Sequence, residues 1–143
     1  MIVKSILSAK GSDVATIAPA ATLAEATQIL ADRKIGALVV TGAGGRITGI
    51  ISERDIVRAF ARHGGGAFTI PLSEVMTRKV VTCMPTDTVA MLMERMTAGK
   101  FRHLPVLDDG ELVGIISIGD VVKYRLTELE FEQGAMRDYI QTA

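Results

Sequence analysis

Tryptophan is absent, aromatic residues make up only 4% of the chain, and Cys83 is its one cysteine. So few aromatic faces leave no stacking platform for a single-stranded nucleic acid. A single cysteine can neither close an internal disulfide nor build a thiolate metal site, which fits a reducing compartment. Its simplest role is a small apolar core residue. Charge of one sign is also missing, because 16 basic residues balance 16 acidic ones without a run of either. Affinity for the nucleic-acid backbone comes largely from clustered Lys and Arg, so nucleic acid is not the expected principal partner. There is no apolar run of about 18 residues to span a membrane, and Met1–Lys10 lacks the long apolar stretch of a secretory signal. A cytoplasmic location without a membrane partner is therefore expected.

What the chain does have is a repeat, the signal to seek first because missing it mis-assigns the whole fold. T-I-A-P-A-A-T-L from Thr16, then K-I-G-A-L-V-V and I-T-G-I-I-S-E-R-D-I-V, returns from Thr82 as T-C-M-P-T-D-T-V, K-F-R-H-L-P-V and L-V-G-I-I-S-I-G-D-V-V. Pro19 answers Pro85, Lys34 answers Lys100, Ser52 answers Ser117 and Asp55 answers Asp120, with a one-residue slip near Gly45. Copies of roughly 50–60 residues are near the lower limit for independent folding, so the two are expected to pack as one unit. The division expected is residues 1–66 for copy one with its lead-in and Gly-rich linker, 67–127 for copy two, and 128–143 for a helical tail.

Each copy reads as β-α-β-β-α. Val14–Ile17 and Val80–Cys83 are β-like, and each is closed by a proline, which removes a backbone donor. Thr22 and Thr88 are N-cap candidates, with Glu25 at capping-box spacing, and Met91, Leu92 and Met96 at helical spacing read as core filler. Ala37–Thr41 and Leu104–Leu107 read as buried strands. Gly42–Gly45 and Asp108–Gly110 supply the positive-φ positions of hairpin turns, so Ile47–Ser52 and Leu112–Ser117 should return antiparallel. Helices are expected over Asp55–His63 and Asp120–Leu129, a flexible link at Gly64–Gly66, and a short helical turn at Pro71–Met76. Lys123–Tyr139, which mixes Leu126, Leu129, Phe131 and Met136 with charges, packs either on a partner subunit or on its own module.

G-I-I-S-E-R-D and G-I-I-S-I-G-D place a hydroxyl and a carboxylate three residues apart where a strand hands over to a helix. Ser52 or Ser117 can bond a phosphate or ribose oxygen, and Asp55 or Asp120 can accept from two vicinal ribose hydroxyls. The plainer alternative is a helix cap, since such residues satisfy orphan amides at the positive end of the helix dipole. Duplication does not choose between them. His63 and His103 are the two histidines, and a metal normally needs about three or four ligands in range. No Ser or Cys stands beside an oriented base, and the Gly-rich stretches match neither the phosphate loop nor the dinucleotide fingerprint.

The doubled T-x-x-P, K-x-G-A-L-V-V or K-F-R-H-L-P-V, and G-x-x-S-x-x-D pattern resembles a tandem pair of CBS domains, a Bateman module, from about Ile2 to Thr127. The resemblance implies an α/β (α+β) fold of two repeats about a pseudo-two-fold axis, packed sheet to sheet. It also implies a small non-catalytic regulatory protein that binds AMP, ADP, ATP or NAD(H), with no catalytic cofactor. Asp55 and Asp120 would then hold ribose hydroxyls, with Ser52 and Ser117 beside them. Thr16 and Cys83, near the prolines and with Pro85 alongside, would lie near the base. Ile35, Gly36, Ala37, Phe101, Arg102 and His103 would flank base or phosphate. Phosphate charge would fall to Lys34, Arg54, Arg102 and His103, since Arg clasps phosphate through two donors and Lys acts as a point charge. Arg102 and His103 would serve the ligand held by Asp55, and Arg54 the one held by Asp120. The partners implied are a second copy, through Ile56–Phe60 and Val121–Leu126, and an unidentified regulated protein. The competing reading is a dimerisation scaffold without ligand.

Overall fold

The computed structural model describes Met1–Thr142. In chain order its elements are α1 (Val3–Lys10), β1 (Thr16–Ile17), α2 (Leu23–Arg33), β2 (Ala37–Thr41), β3 (Ile47–Ser52), α3 (Glu53–His63), α4 (Leu72–Val75), α5 (Val89–Gly99), β4 (His103–Asp108), β5 (Glu111–Ser117) and α6 (Ile118–Thr142). A 3-10 turn at Gly64–Thr69 fills the stretch expected to be a flexible link.

Two compact units emerge, and they interleave along the chain. Val14–Val81 forms the first-copy unit, whereas Met1–Asp13 joins the chain from Thr82 onward in the second-copy unit. The lead-in, which precedes copy one in the chain, thus packs with copy two. Backbone hydrogen bonds show why. The first-turn amides of α1 would be orphaned, as at any helix start. Here Val3 donates to Asp87 O and Lys4 to Pro85 O, both at 2.9 Å, while Val89 donates to Met1 O. In the first-copy unit Leu72 and Ser73 of α4 donate to Ala21 O and Pro19 O, and Leu23 donates to Ile70 O. Each copy therefore caps the helix that precedes the other copy.

In the first-copy unit β2 pairs parallel with β1 and antiparallel with β3. Leu23, Ala26 and Leu30 share one face of α2 and pack on Leu38, Val40 and Ile51 of the sheet, with Ala59, Leu72 and Met76 completing the core. Burying each large aliphatic side chain contributes roughly 1.5–3 kcal/mol. In the second-copy unit β4 and β5 form an antiparallel hairpin. Asp109 and Gly110 both have positive φ at its two-residue turn, the conformation that matches strand twist.

The strand expected at Val80–Cys83 shrinks to a single bridge between Cys83 and Val106. Proline is the physical reason. In the first-copy unit Val39 N donates to Ala15 O, but the residue answering Val39 is Pro105, which has no N–H to offer Val81. The second-copy sheet keeps two strands.

Both α2 and α5 stop at a lysine in the left-handed conformation, Lys34 (φ 55°) and Lys100 (φ 59°). Such an ending turns the chain sharply, so residues 35–37 and 101–103 run directly into β2 and β4.

Candidate functional site

In the first-copy unit the site forms where β3 passes into α3. Ser52 caps α3, and Asp55 closes a capping box with it. The Ser52 amide donates to Asp55 Oδ2 at 2.9 Å and its hydroxyl to the same oxygen at 3.0 Å. The Thr77 hydroxyl donates to Asp55 Oδ1 at 2.9 Å. Asp55 is 6% exposed, a degree of burial a carboxylate reaches only when its acceptors are engaged. Ala37 pairs with Ser52 across the sheet, and Glu53 N donates to Gly36 O at 3.1 Å. Gly36 and Ala37 therefore lie beside the Ser52–Asp55 turn, with Lys34 and Ile35 just before them in the chain. Arg54 is exposed in the first turn of α3, and Thr16 pairs with Val39, two positions along β2 from Ala37.

The second-copy unit repeats this frame. Ser117 N and Oγ donate to Asp120 Oδ2 at 2.9 and 3.0 Å, His103 pairs with Ser117, and Ile118 N donates to Arg102 O at 2.7 Å. Arg102 and His103 thus lie beside the Ser117–Asp120 turn, with Phe101 just before them in the chain. The added partner is a charge: Lys10 Nζ reaches Asp120 Oδ2 at 2.6 Å and Ile115 O at 3.0 Å. Burial alone would raise the Asp120 pKa, but the Lys10 ammonium and the Ser117 amide outweigh it and hold the carboxyl below its ordinary value. Asp120 is ionised at neutral pH and acts only as an acceptor.

Cys83 lies one position beyond Thr82, the match to Thr16. It is 2% exposed, and its bridge to Val106 makes it the register equivalent of Ile17, which pairs with Val40. Thr82 answers Thr16. Burial, with the neighbouring Asp87 charge, pushes the Cys83 thiol up to about 12, so it supplies no thiolate nucleophile at neutral pH. Pro85 lies in the turn that caps α1.

Two neighbours of the candidate site, Lys10 and Thr77, escaped the sequence reading, and so did the buried Asp87. Lys10 and Thr77 are distant in sequence from the carboxylates they bond, and no local motif marks them. Asp87 is buried, accepting from Met84 N and Arg95 Nη1, both at 2.8 Å. Burial works to raise its pKa, but the Met84 amide and Arg95 hold it below the usual value. Its spacing two residues after Pro85 is a turn signal that could have found it. Among the described residues no group of three or more His, Cys, Asp or Glu could hold a metal, and no helix is long and apolar enough to cross a membrane.

The CBS domain family model matches residues 3–62 and 72–127. This chain belongs to the CBS domain family. A CBS-domain protein of Agrobacterium tumefaciens has a solved structure that is 49% identical, with 87% of this chain and 92% of that one covered at a TM-score of 0.84. A CBS-domain protein of Pyrobaculum aerophilum, solved in complex with AMP, is 29% identical over 93% of this chain and 99% of its own, with a TM-score of 0.80. Among curated relatives, the mitochondrial CBS domain-containing protein CBSX3 of Arabidopsis thaliana is 34% identical over 84% of this chain. The chain spans 60% of that relative and only 21% of others such as CBSCBSPB5 of the same plant. The tandem CBS arrangement places Ser52–Asp55 and Ser117–Asp120 at matched strand-to-helix turns, one per repeat.

Proposed function

We propose that this CBS pair is a non-catalytic regulatory module of the cytoplasm. In this reading it binds an adenine nucleotide (AMP, ADP, ATP or NAD(H)) and reports occupancy to a protein it regulates. The observation that carries the reading is the duplicated carboxylate–hydroxyl turn. Each aspartate takes three hydrogen bonds from its own unit, and a carboxylate offers about four acceptor positions, so capacity for a ribose hydroxyl remains. The backbone of residues 35–37 and 101–103 runs alongside, and backbone groups can read an adenine edge without any particular side chain. Arg54 and Arg102, with Lys34 and His103, supply the phosphate charge. The AMP complex of the Pyrobaculum aerophilum relative supports the ligand class.

Occupancy can bias a partner only if the nucleotide binds one conformation better than another, so a differential affinity is required. Isothermal titration with AMP, ATP, NADH and S-adenosylmethionine tests the reading. Heat is expected with at least one of them, reduced separately by Asp55→Ala and Asp120→Ala. Folded protein that gives no heat with any of the four, or affinity unchanged in both variants, rejects it.

A further inference from the structure

The structure leaves one long apolar stripe partly exposed along α6. Val122, Leu126, Leu129, Met136 and Ile140 of α6 are each between 39 and 67% exposed. With Gln133 they recur at alternating spacings of four and three residues, the a/d pattern of a coiled-coil seam. Assigning Leu126 to position a makes Val122 and Leu129 d, Gln133 a, Met136 d and Ile140 a. The stripe runs for about 27 Å along the helix. The residues through which α6 meets its own unit lie beside the stripe: Val121 is buried, and Tyr124, Arg125 and Glu128 are half-buried, at c, f and g positions, with Arg125 3.8 Å from Glu128. Glu128 accepts from the Met1 ammonium at 3.3 Å. The body therefore holds one face of α6 and presents the a/d face outward. Phe131, at f, stands apart from the stripe.

The flanking charges and the one polar seam residue choose the occupant. In a parallel pair, each g residue lies beside the e residue five positions later on the other helix. Arg125 at g then meets Glu130 of the second copy, and Glu132 meets Arg137, so both contacts join opposite charges. Gln133 discriminates orientation. Parallel pairing in register sets its amide against the same amide of the second copy, where the two can hydrogen-bond. Antiparallel pairing sets it against an apolar d residue, where a buried amide goes unpaired. We propose that α6 from Val122 to Ile140 is a docking face for a second copy of this chain, joined as a parallel, in-register two-stranded coiled coil. This contact does not depend on nucleotide binding.

Gln133→Cys in the full chain, equilibrated in a glutathione redox buffer, tests it directly. The two introduced thiols would share one a layer, so a disulfide-linked dimer is expected, and buried Cys83 does not compete. In that background, Arg125→Glu with Arg137→Glu turns both contacts into Glu–Glu, and Glu130→Arg with Glu132→Arg turns them into Arg–Arg. Each set alone should lower the equilibrium yield of linked dimer about tenfold, since several charge pairs of a few tenths of a kcal/mol reverse sign together. Mixing the two sets should restore it as a heterodimer. Glu130, Glu132 and Arg137 are exposed and Arg125 is half-buried beside Glu128, and far-UV circular dichroism checks that each variant is folded. The proposal is overturned if Gln133→Cys stays unlinked, if linkage ignores the charge sets, or if Leu129→Cys mixed with Gln133→Cys links in preference to Gln133→Cys alone, the antiparallel result.

Discussion

The first-copy unit places Ala21 and Ile29 where the second-copy unit places Asp87 and Arg95. Ala21 and Ile29 pack against the apolar core, whereas Asp87 and Arg95 form an ion pair at 2.8 Å with Asp87 buried. A second contrast lies at the site itself. In the first-copy unit the backbone of Thr77 exchanges two hydrogen bonds with Ile50, each 2.9 Å, and its hydroxyl holds Asp55. In the second-copy unit the one side chain of Lys10 bonds both Ile115 O and Asp120. The same frame is thus held by packing and neutral hydroxyls in one unit and by charge in the other. At the site one fold tolerates both because each solution satisfies matched acceptors, Ile50 O and Asp55 in one unit and Ile115 O and Asp120 in the other.

The largest effect is expected where charge replaced packing. Asp87→Ala strands the Met84 amide and removes the Arg95 partner, and should cost about 2–3 kcal/mol in chemical denaturation. Transplanting the first-copy solution, Asp87→Ala with Arg95→Ile, should return to within about 1 kcal/mol of the parent, because well-packed apolar residues often replace a buried pair without loss. A double variant as unstable as the single one would show that the units are not interchangeable here.

Next come the glycines that let the preceding helix approach the sheet. A Cβ on Gly49 would stand 2.6 Å from Met76 Sδ and 2.8 Å from the Thr77 carbonyl oxygen, and that carbonyl is fixed by its bond to Ile50. A Cβ on Gly114 would meet only the Leu7 side chain, at 2.6 Å to Cδ2. Overpacking against backbone cannot relax by a rotamer change, so Gly49→Ala should cost about 2–3 kcal/mol and Gly114→Ala about 1 kcal/mol. Equal midpoints in denaturant would contradict the distinction.

These contrasts also show what a sequence can carry. The β-α-β-β-α order was legible because prolines, caps and hairpin turns are local signals. Thr22 and Thr88 do accept the Glu25 and Met91 amides, and the Asp109-Gly110 turn has its expected conformation. The exchange of lead-in helices was not legible, because it rests on backbone hydrogen bonds such as Val3 N to Asp87 O, which leave no residue-type signature. The Ser52–Asp55 and Ser117–Asp120 turns were legible as motifs, but not the partners that hold them. Lys10 reaches Asp120 across 110 residues, and nothing near either residue announces the other. The first strand of copy two was overestimated because Pro105 read as part of a strand, while its missing donor falls on the edge that strand needed.

Lys10→Met tests the charge solution at the site. It removes one ammonium and two hydrogen bonds from a partly exposed position, so the stability cost should be about 1 kcal/mol. If Asp120 holds a ribose, the same change should alter nucleotide affinity at that turn and leave the Asp55 turn alone. Titration of Lys10→Met in an Asp55→Ala background, compared with an Asp120→Ala background, separates the two. An identical response in both backgrounds would break the link between Lys10 and the second-copy site.

Acid should give the smallest and most graded effect. The folded protein holds Asp87 and Asp120 below the ordinary carboxylate value of 3.8, each against the opposing pull of burial. Depressed values mean that the native state favours the ionised forms more than the unfolded chain does. Their contribution is therefore complete above 3.8 and is lost as pH falls through the lower folded values. Denaturant midpoints measured from about pH 5 down to about pH 2 should fall as the two groups take up protons. Combining Asp87→Ala and Arg95→Ile with Lys10→Met removes one of these carboxylates and the charge partner of the other, so the slope should flatten. A slope unchanged in the combined variant would mean that the acid sensitivity arises elsewhere, and that the charged unit is no more acid-dependent than its apolar counterpart.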